Sequence, residues 1–295
     1  MRSIVLFLIS KIVLIAALLL SGSTVANQRV TWLEVDIPPF FIYEGEYANQ
    51  GIVDRIMALI EARLTSYDYH HQQVSFKRAT AFFDAPGTYC HASYFKTPER
   101  EQLAYFSSVA STLSPPIGVT IRKHMKEKIL TGTPLSLGHL LESDTVKGGA
   151  VQGRSYGPLI DPLLKRHAEE GKLFFRSTSD LYEGSFRMLV AGRYDYLIGY
   201  PLEAMFAAKK NKYQDIVTLP ITESTDFLPG YVACSKTPEG EALIKKINVI
   251  LKAERPQAHY KAIFHQWLDE FSTPQFNAAF DQWLTNESRP RPATD

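Results

Sequence analysis

Between residues 30 and 95 the hydrophobic period of the chain keeps switching, and that alternation limits the available folds more than any other feature. Residues 30–35 (Val-Thr-Trp-Leu-Glu-Val) are rich in β-branched side chains with near alternation, the pattern of a strand. Residues 36–43 (Asp-Ile-Pro-Pro-Phe-Phe-Ile-Tyr) form a loop, because two prolines stop either regular structure from continuing. In residues 51–64, Ile52, Ile56, Ile60 and Leu64 recur every fourth position with Val53 and Met57 beside them, one apolar stripe of an amphipathic helix. A weaker helix over residues 75–85 is broken by Pro86-Gly87, and residues 89–95 are again a strand. The order β-α-β-α-β predicts a mostly parallel α/β sheet.

The turn after that run is built to aim a charge. Thr97 suits a helix N-cap, Pro98 the first helical position and Glu99 the positive helix end. Arg100 does not suit it: a cation there opposes the helix dipole by roughly 0.3–1 kcal/mol. A nearby anion would explain it, and a guanidinium fork fits a carboxylate in two places. On these residues alone, a surface Arg at a helix start is the plainer reading.

Residues 148–157 (Gly-Gly-Ala-Val-Gln-Gly-Arg-Ser-Tyr-Gly) end a short strand, turn at Gly153 and open a helix near Pro158. Backbone amides at such a start suit an anion. No Gly-Lys-Ser/Thr follows, so this is not a P-loop, and an ordinary glycine turn accounts for it locally as well. Further on, a helix stops at Gly192, residues 194–200 form a strand and residues 201–210 a helix. Residues 228–235 are a strand. Thr237-Pro238 caps a helix, and aromatic helices fill residues 256–285.

The first 26 residues combine Arg2, an apolar run split by Lys11 and a small-residue exit at Thr24 and Ala26, the form of a cleavable secretory signal. Its removal leaves 30 basic against 31 acidic residues, a net charge of −1. That balance gives no reason to expect nucleic acid or an anionic membrane as partner. Fifteen tyrosines suit a cleft that needs flat walls with polar tips.

These segments, in order from about residue 30 to about residue 270, resemble the family 3 bacterial extracellular solute-binding proteins. Thr97-Pro-Glu-Arg100 with Phe106-Ser107 is similar to the family's T-P-E-R…F-S motif, whose Arg holds the α-carboxylate of an amino-acid ligand. Pro38-Pro-Phe40 resembles its first loop, which sets an aromatic against the ligand, while one of Phe40 and Phe41 is expected in the core. Gly153-Arg-Ser155 stands at the motif that cups the carboxylate from the opposite lobe. Ala191-Gly-Arg-Tyr-Asp195 follows the A-G-R-x-D-x-x-x-x-D block up to its last position, where Tyr200 replaces the acid that receives a ligand ammonium. That departure puts ordinary α-amino-acid binding in doubt.

The resemblance implies a two-lobed type 2 periplasmic binding fold with two crossover strands. Each lobe is a mostly parallel sheet flanked by helices. Lobe one is expected to comprise residues 27–123 and 226–295, and lobe two residues 124–225. It implies a monomeric periplasmic protein that closes on a small polar or carboxylate-bearing ligand, amino-acid-like or organic acid. Arg100 would clamp the carboxylate, and Ser155, preceded by Arg154, would meet it from lobe two. Phe40, Phe95 and Tyr200 would form walls, and Glu34 would take an amine. The receiver would be an ABC transporter permease or a membrane sensor, without cofactor or metal. The rival is an enzyme on this scaffold, similar to a cyclohexadienyl dehydratase, with Glu34 or Glu203 as general acid and no second group to support either. By the family's topology Cys90 and Cys234 both lie in lobe one. A bridge between them in an oxidising compartment and two unpaired buried thiols are the open alternatives.

Histidines and cysteines show no zinc spacing, and no Gly-x-Ser-x-Gly elbow occurs. His70-His71 reads as a solvated pair.

Overall fold

Two five-stranded sheets carry the chain in the computed structural model. It describes residues 28–285 except 131, 133, 169–170, 172, 178–180, 212 and 269–273; the expected signal at residues 1–26 and the tail after residue 286 lie outside the described residues. The first sheet contains β1 (Gln28–Glu34), β2 (Tyr67–Gln73), β3 (Tyr89–Tyr94), β4 (Ala104–Ser114) and β10 (Leu228–Ser235), in the order β2-β1-β3-β10-β4. The second contains β5 (Gly118–Arg122), β6 (Gly148–Val151), β7 (Leu173–Arg176), β8 (Tyr196–Gly199) and β9 (Ile216–Pro220), in the order β7-β6-β8-β5-β9. In each sheet one strand runs against its neighbours: β10 against β3 and β4, and β5 against β8 and β9. Those two strands are where the chain enters each sheet after crossing, so the mostly parallel character survives in both.

Helices α1 (Ile52–Arg63), α2 (Phe76–Phe82) and α3 (Pro98–Leu103) link the strands of lobe one. Helices α4 (Lys126–Ile129), α5 (Leu137–Glu142), α6 (Ile160–His167), α7 (Leu181–Val190) and α8 (Pro201–Asn211) belong to lobe two. Helices α9 (Pro238–Glu254), α10 (Ala258–Leu268) and α11 (Pro274–Thr285) follow the return strand. The stripe of α1 is buried at Ile52, Val53, Ile56, Met57 and Ile60. Its start is tied down by Asp54, which accepts from the amides of Gly51 (2.8 Å) and Ile42 (3.1 Å). Among the described residues no helix is long and apolar enough to cross a membrane.

Two expectations shift. The expected boundary at residue 123 places residues 118–122 in lobe one, but β5 is laddered between β8 and β9, so the first crossover falls at residues 115–117. Its residues Gly118 to Ile121 are all buried, a pattern that suits a central strand of either sheet, so nothing local distinguishes the two. The aromatic C-terminal helices pack on lobe one, yet Trp267 also reaches lobe two. Its ring lies 5.5 Å from Phe206 on α8 and 5.3 Å from Tyr47, and its indole N–H donates to the Gln50 carbonyl at 3.1 Å.

Cys90 and Cys234 face each other in register across β3 and β10 and are joined, with sulfurs 2.11 Å apart. The bond lies within one sheet.

Candidate ligand-binding cleft

The loops at one end of each sheet meet around a cavity of about 410 Å³, part of it open to solvent. Lobe one supplies Phe40 from the β1–α1 loop, Phe76 from α2, and Tyr94, Phe95 and Arg100 from the β3–α3 turn. Lobe two supplies Arg154 and Ser155 from the β6–α6 loop and Tyr200 from the end of β8. Six of the seven residues singled out in the sequence are therefore brought together. The exception is Glu34.

Arg100 is where the local chemistry points. The Thr97 hydroxyl accepts from the Arg100 amide at 3.3 Å, capping α3 and fixing where the guanidinium emerges. The residue is only 9% exposed. It donates to the carbonyls of Phe95 and, across the lobes, Gly153, each at 3.1 Å, and lies over the Tyr94 ring at 3.9 Å. No carboxylate pairs with it among the described residues. Burial pulls its pKa below the ordinary guanidinium value. Two carbonyls satisfy only part of a five-donor group, and they bring no charge.

Arg154 has the opposite fate. It makes a two-pronged ion pair with Glu203 of α8 (2.5 and 3.2 Å), with the two side chains 5% and 8% exposed. The Tyr200 ring lies 4.8 Å from its guanidinium carbon and the Phe76 ring 5.8 Å. Burial opposes its charge, but the adjoining carboxylate reverses the balance and holds its pKa above the usual value. Glu203 is thus the partner of Arg154 and not a free general acid. Gly199 leaves the carboxylate its room, since a Cβ there would sit 2.8 Å from Glu203 Oε2.

The anion position predicted at the start of α6 is filled from within. Asp161 takes the Ser155 hydroxyl and the Tyr156 amide, each at 2.6 Å. Burial raises its pKa, and these hydrogen bonds oppose the rise. The Ser155 hydroxyl proton is therefore committed to Asp161, which sequence reasoning missed. An acid six residues beyond a Gly-Arg-Ser turn was the available signal.

The aromatic loop resolves cleanly. Phe41 is the core residue, edge-on to His91 at 5.5 Å, while Phe40 faces the cleft at 5.8 Å from Tyr200. The carbonyls of Pro39 and Phe40 accept from the amides of Ile52 and Val53 (2.9 and 2.8 Å), so the α1 N-terminus holds the loop in place. Phe95 meets Tyr200 edge-on at 6.3 Å. Tyr200 is buried, and its hydroxyl lies beside Ser114 without a hydrogen bond of ordinary geometry.

Glu34 is the correction. It does not line the cavity but binds His71 Nδ1 at 2.5 Å, and His71 Nε2 reaches Glu61 at 3.1 Å. Parallel pairing of β1 with β2 carries the Glu34 side chain towards this neighbour. His71 is accordingly held between two carboxylates, not simply solvated, and hydrogen bonds to Glu34 and then Glu61 push its pKa up to about 10. Among the described residues no group of three or more His, Cys, Asp or Glu is arranged to hold a metal.

No protein-family model matches the sequence, and comparison with curated proteins finds no match. Solved structures do match. The architecture is that of the two-lobed periplasmic binding proteins. One similar structure comes from work on glutathione import in Gram-positive bacteria via GshT and the cystine ABC importer TcyBC of Streptococcus mutans (TM-score 0.64, 18% identity, 83% of this chain and 96% of that one). Another is an ancestral arginine-binding protein bound to glutamine (TM-score 0.62, 18% identity, 82% and 98%). A third is a histidine kinase sensor domain similar to periplasmic binding proteins (TM-score 0.62, 15% identity, 82% and 96%). At such identities the likeness concerns the fold.

Proposed function

We propose that this chain is a periplasmic solute-binding protein that closes its lobes on a small ligand carrying a carboxylate, for uptake or for sensing. The observation that carries the reading is Arg100, a guanidinium buried in the interlobe cavity with no carboxylate paired to it among the described residues. A buried charge without a counter-ion is costly, and a ligand carboxylate in the cleft relieves that cost. The Gly153 carbonyl of lobe two, which accepts from Arg100, supports a closure that brings both lobes onto the same group. Similar folds in amino-acid import and in a kinase sensor domain support both outlets. Catalysis is the less supported reading, since Glu203 is held by Arg154 and Glu34 by His71.

Thermal shift of the wild-type chain against amino acids, organic acids, polyamines and aromatic acids tests this. A carboxylate at 100 times its Kd is expected to stabilise by about 2.7 kcal/mol. Stabilisation by polyamines alone would contradict the proposal.

A further inference from the structure

The charges around the cavity do more than mark a carboxylate site. Among its described lining residues there are two arginines and neither Asp nor Glu. One positive charge, that of Arg154, is cancelled by Glu203. Asp161 lies near enough to influence Arg100, but it forms no ion pair with it and both its oxygens are engaged by lobe two. The rest of the wall is Ile37, Val53, aromatic rings and serines.

A ligand with one carboxylate would match this arrangement. An ammonium brought in beside it would have two choices. It would lie against Phe40, Phe95 and Tyr200 without a carboxylate, or it would draw Glu203 away and leave the buried Arg154 unpaired. The rings offer a cation–π attraction but no counter-ion, and the second choice leaves a buried cation unpaired, so neither equals a carboxylate partner.

Building on the proposed function, we infer that the cleft selects a monocarboxylate with an apolar body and no α-ammonium. The Arg154–Glu203 pair is the specificity-determining element, its own cation standing against Tyr200 on the cleft wall.

Calorimetric titration of the full chain with matched probes tests this. The probes are 3-phenylpropanoate, L-phenylalanine and 2-phenylethylamine, then 4-methylpentanoate, L-leucine and 3-methylbutylamine. At least one deaminated acid is expected to bind at least tenfold more tightly than its parent amino acid, and the amines not at all. In Glu203→Gln, which frees Arg154, glutarate is expected to gain at least tenfold relative to 4-methylpentanoate. Unchanged relative affinity in the folded variant overturns the role of the pair. The wild-type comparison decides the ligand class even if the variant does not fold. If neither deaminated acid binds tenfold more tightly than its parent amino acid, this inference is overturned and Arg100 remains as an anion clamp. Binding of the amines alone overturns both readings, and binding of none of the six overturns this inference.

Discussion

Arg100 and Arg154 bring the same charge to the same cavity, and among the described residues only Arg154 is ion-paired with a carboxylate. The difference explains which one is legible in sequence. Arg100 is announced by its own neighbours, Thr97 and Pro98, which fix a helix start. Glu203 lies 49 residues beyond Arg154, and no local pattern links them. Glu34 failed for the same reason, since its partner His71 sits on the adjacent strand. That partnership predicts a pH signature. His71 has its pKa raised to about 10 from 6.5, so its charged form favours the folded state. The stabilisation is complete below pH 6.5 and is lost as pH rises through about 10. Chemical denaturation of wild type and His71→Gln should show a gap of about 1 kcal/mol near pH 6, limited by solvent screening because the side chain is 44% exposed. The gap should close by about pH 10.5; one that widens with pH would refute the carboxylate sandwich.

At the scale of elements, short caps and one glycine set the cleft. Thr97→Ala removes the α3 cap and should cost about 1 kcal/mol in a denaturant melt while weakening ligand binding, because the cap also orients Arg100. Gly153 has φ +78°, and a Cβ there would lie 2.8 Å from the Lys77 amide nitrogen in lobe one. Gly153→Ala should therefore lower ligand affinity at least tenfold by obstructing closure. Its cost to folding should be near the roughly 1–2 kcal/mol of a left-handed non-glycine residue. Equal affinity in titration calorimetry would show that the lobes do not close at this point. The helix stripe of α1, the Gly192 stop and the strand at β3 were readable because each is a local pattern. The sheet to which β5 belongs was not, since pairing with β8 and β9 is decided by residues about 80 and 100 positions away.

For the molecule as a whole, two crossings join the lobes, and the Cys90–Cys234 bond closes a loop around all of lobe two while lying within the sheet of lobe one. Replacing both cysteines by Ala should lower stability by roughly 2–5 kcal/mol and leave ligand affinity within about twofold, because the bond does not restrain the hinge. A large loss of affinity at matched folded fraction would contradict that separation. The mostly parallel α/β character was legible from the alternation of strand and helix, and the two lobes only through the resemblance to the solute-binding family; the reach of Trp267 onto Phe206 was not, since an aromatic helix looks the same whichever lobe it touches. Closure of both lobes on a carboxylate held by Arg100 underlies these expectations. Titration calorimetry of Arg100→Ala, with the carboxylate that most stabilises the wild type, tests it most directly. A folded protein whose affinity falls at least a hundredfold is expected; a folded variant with wild-type affinity would rule out the clamp.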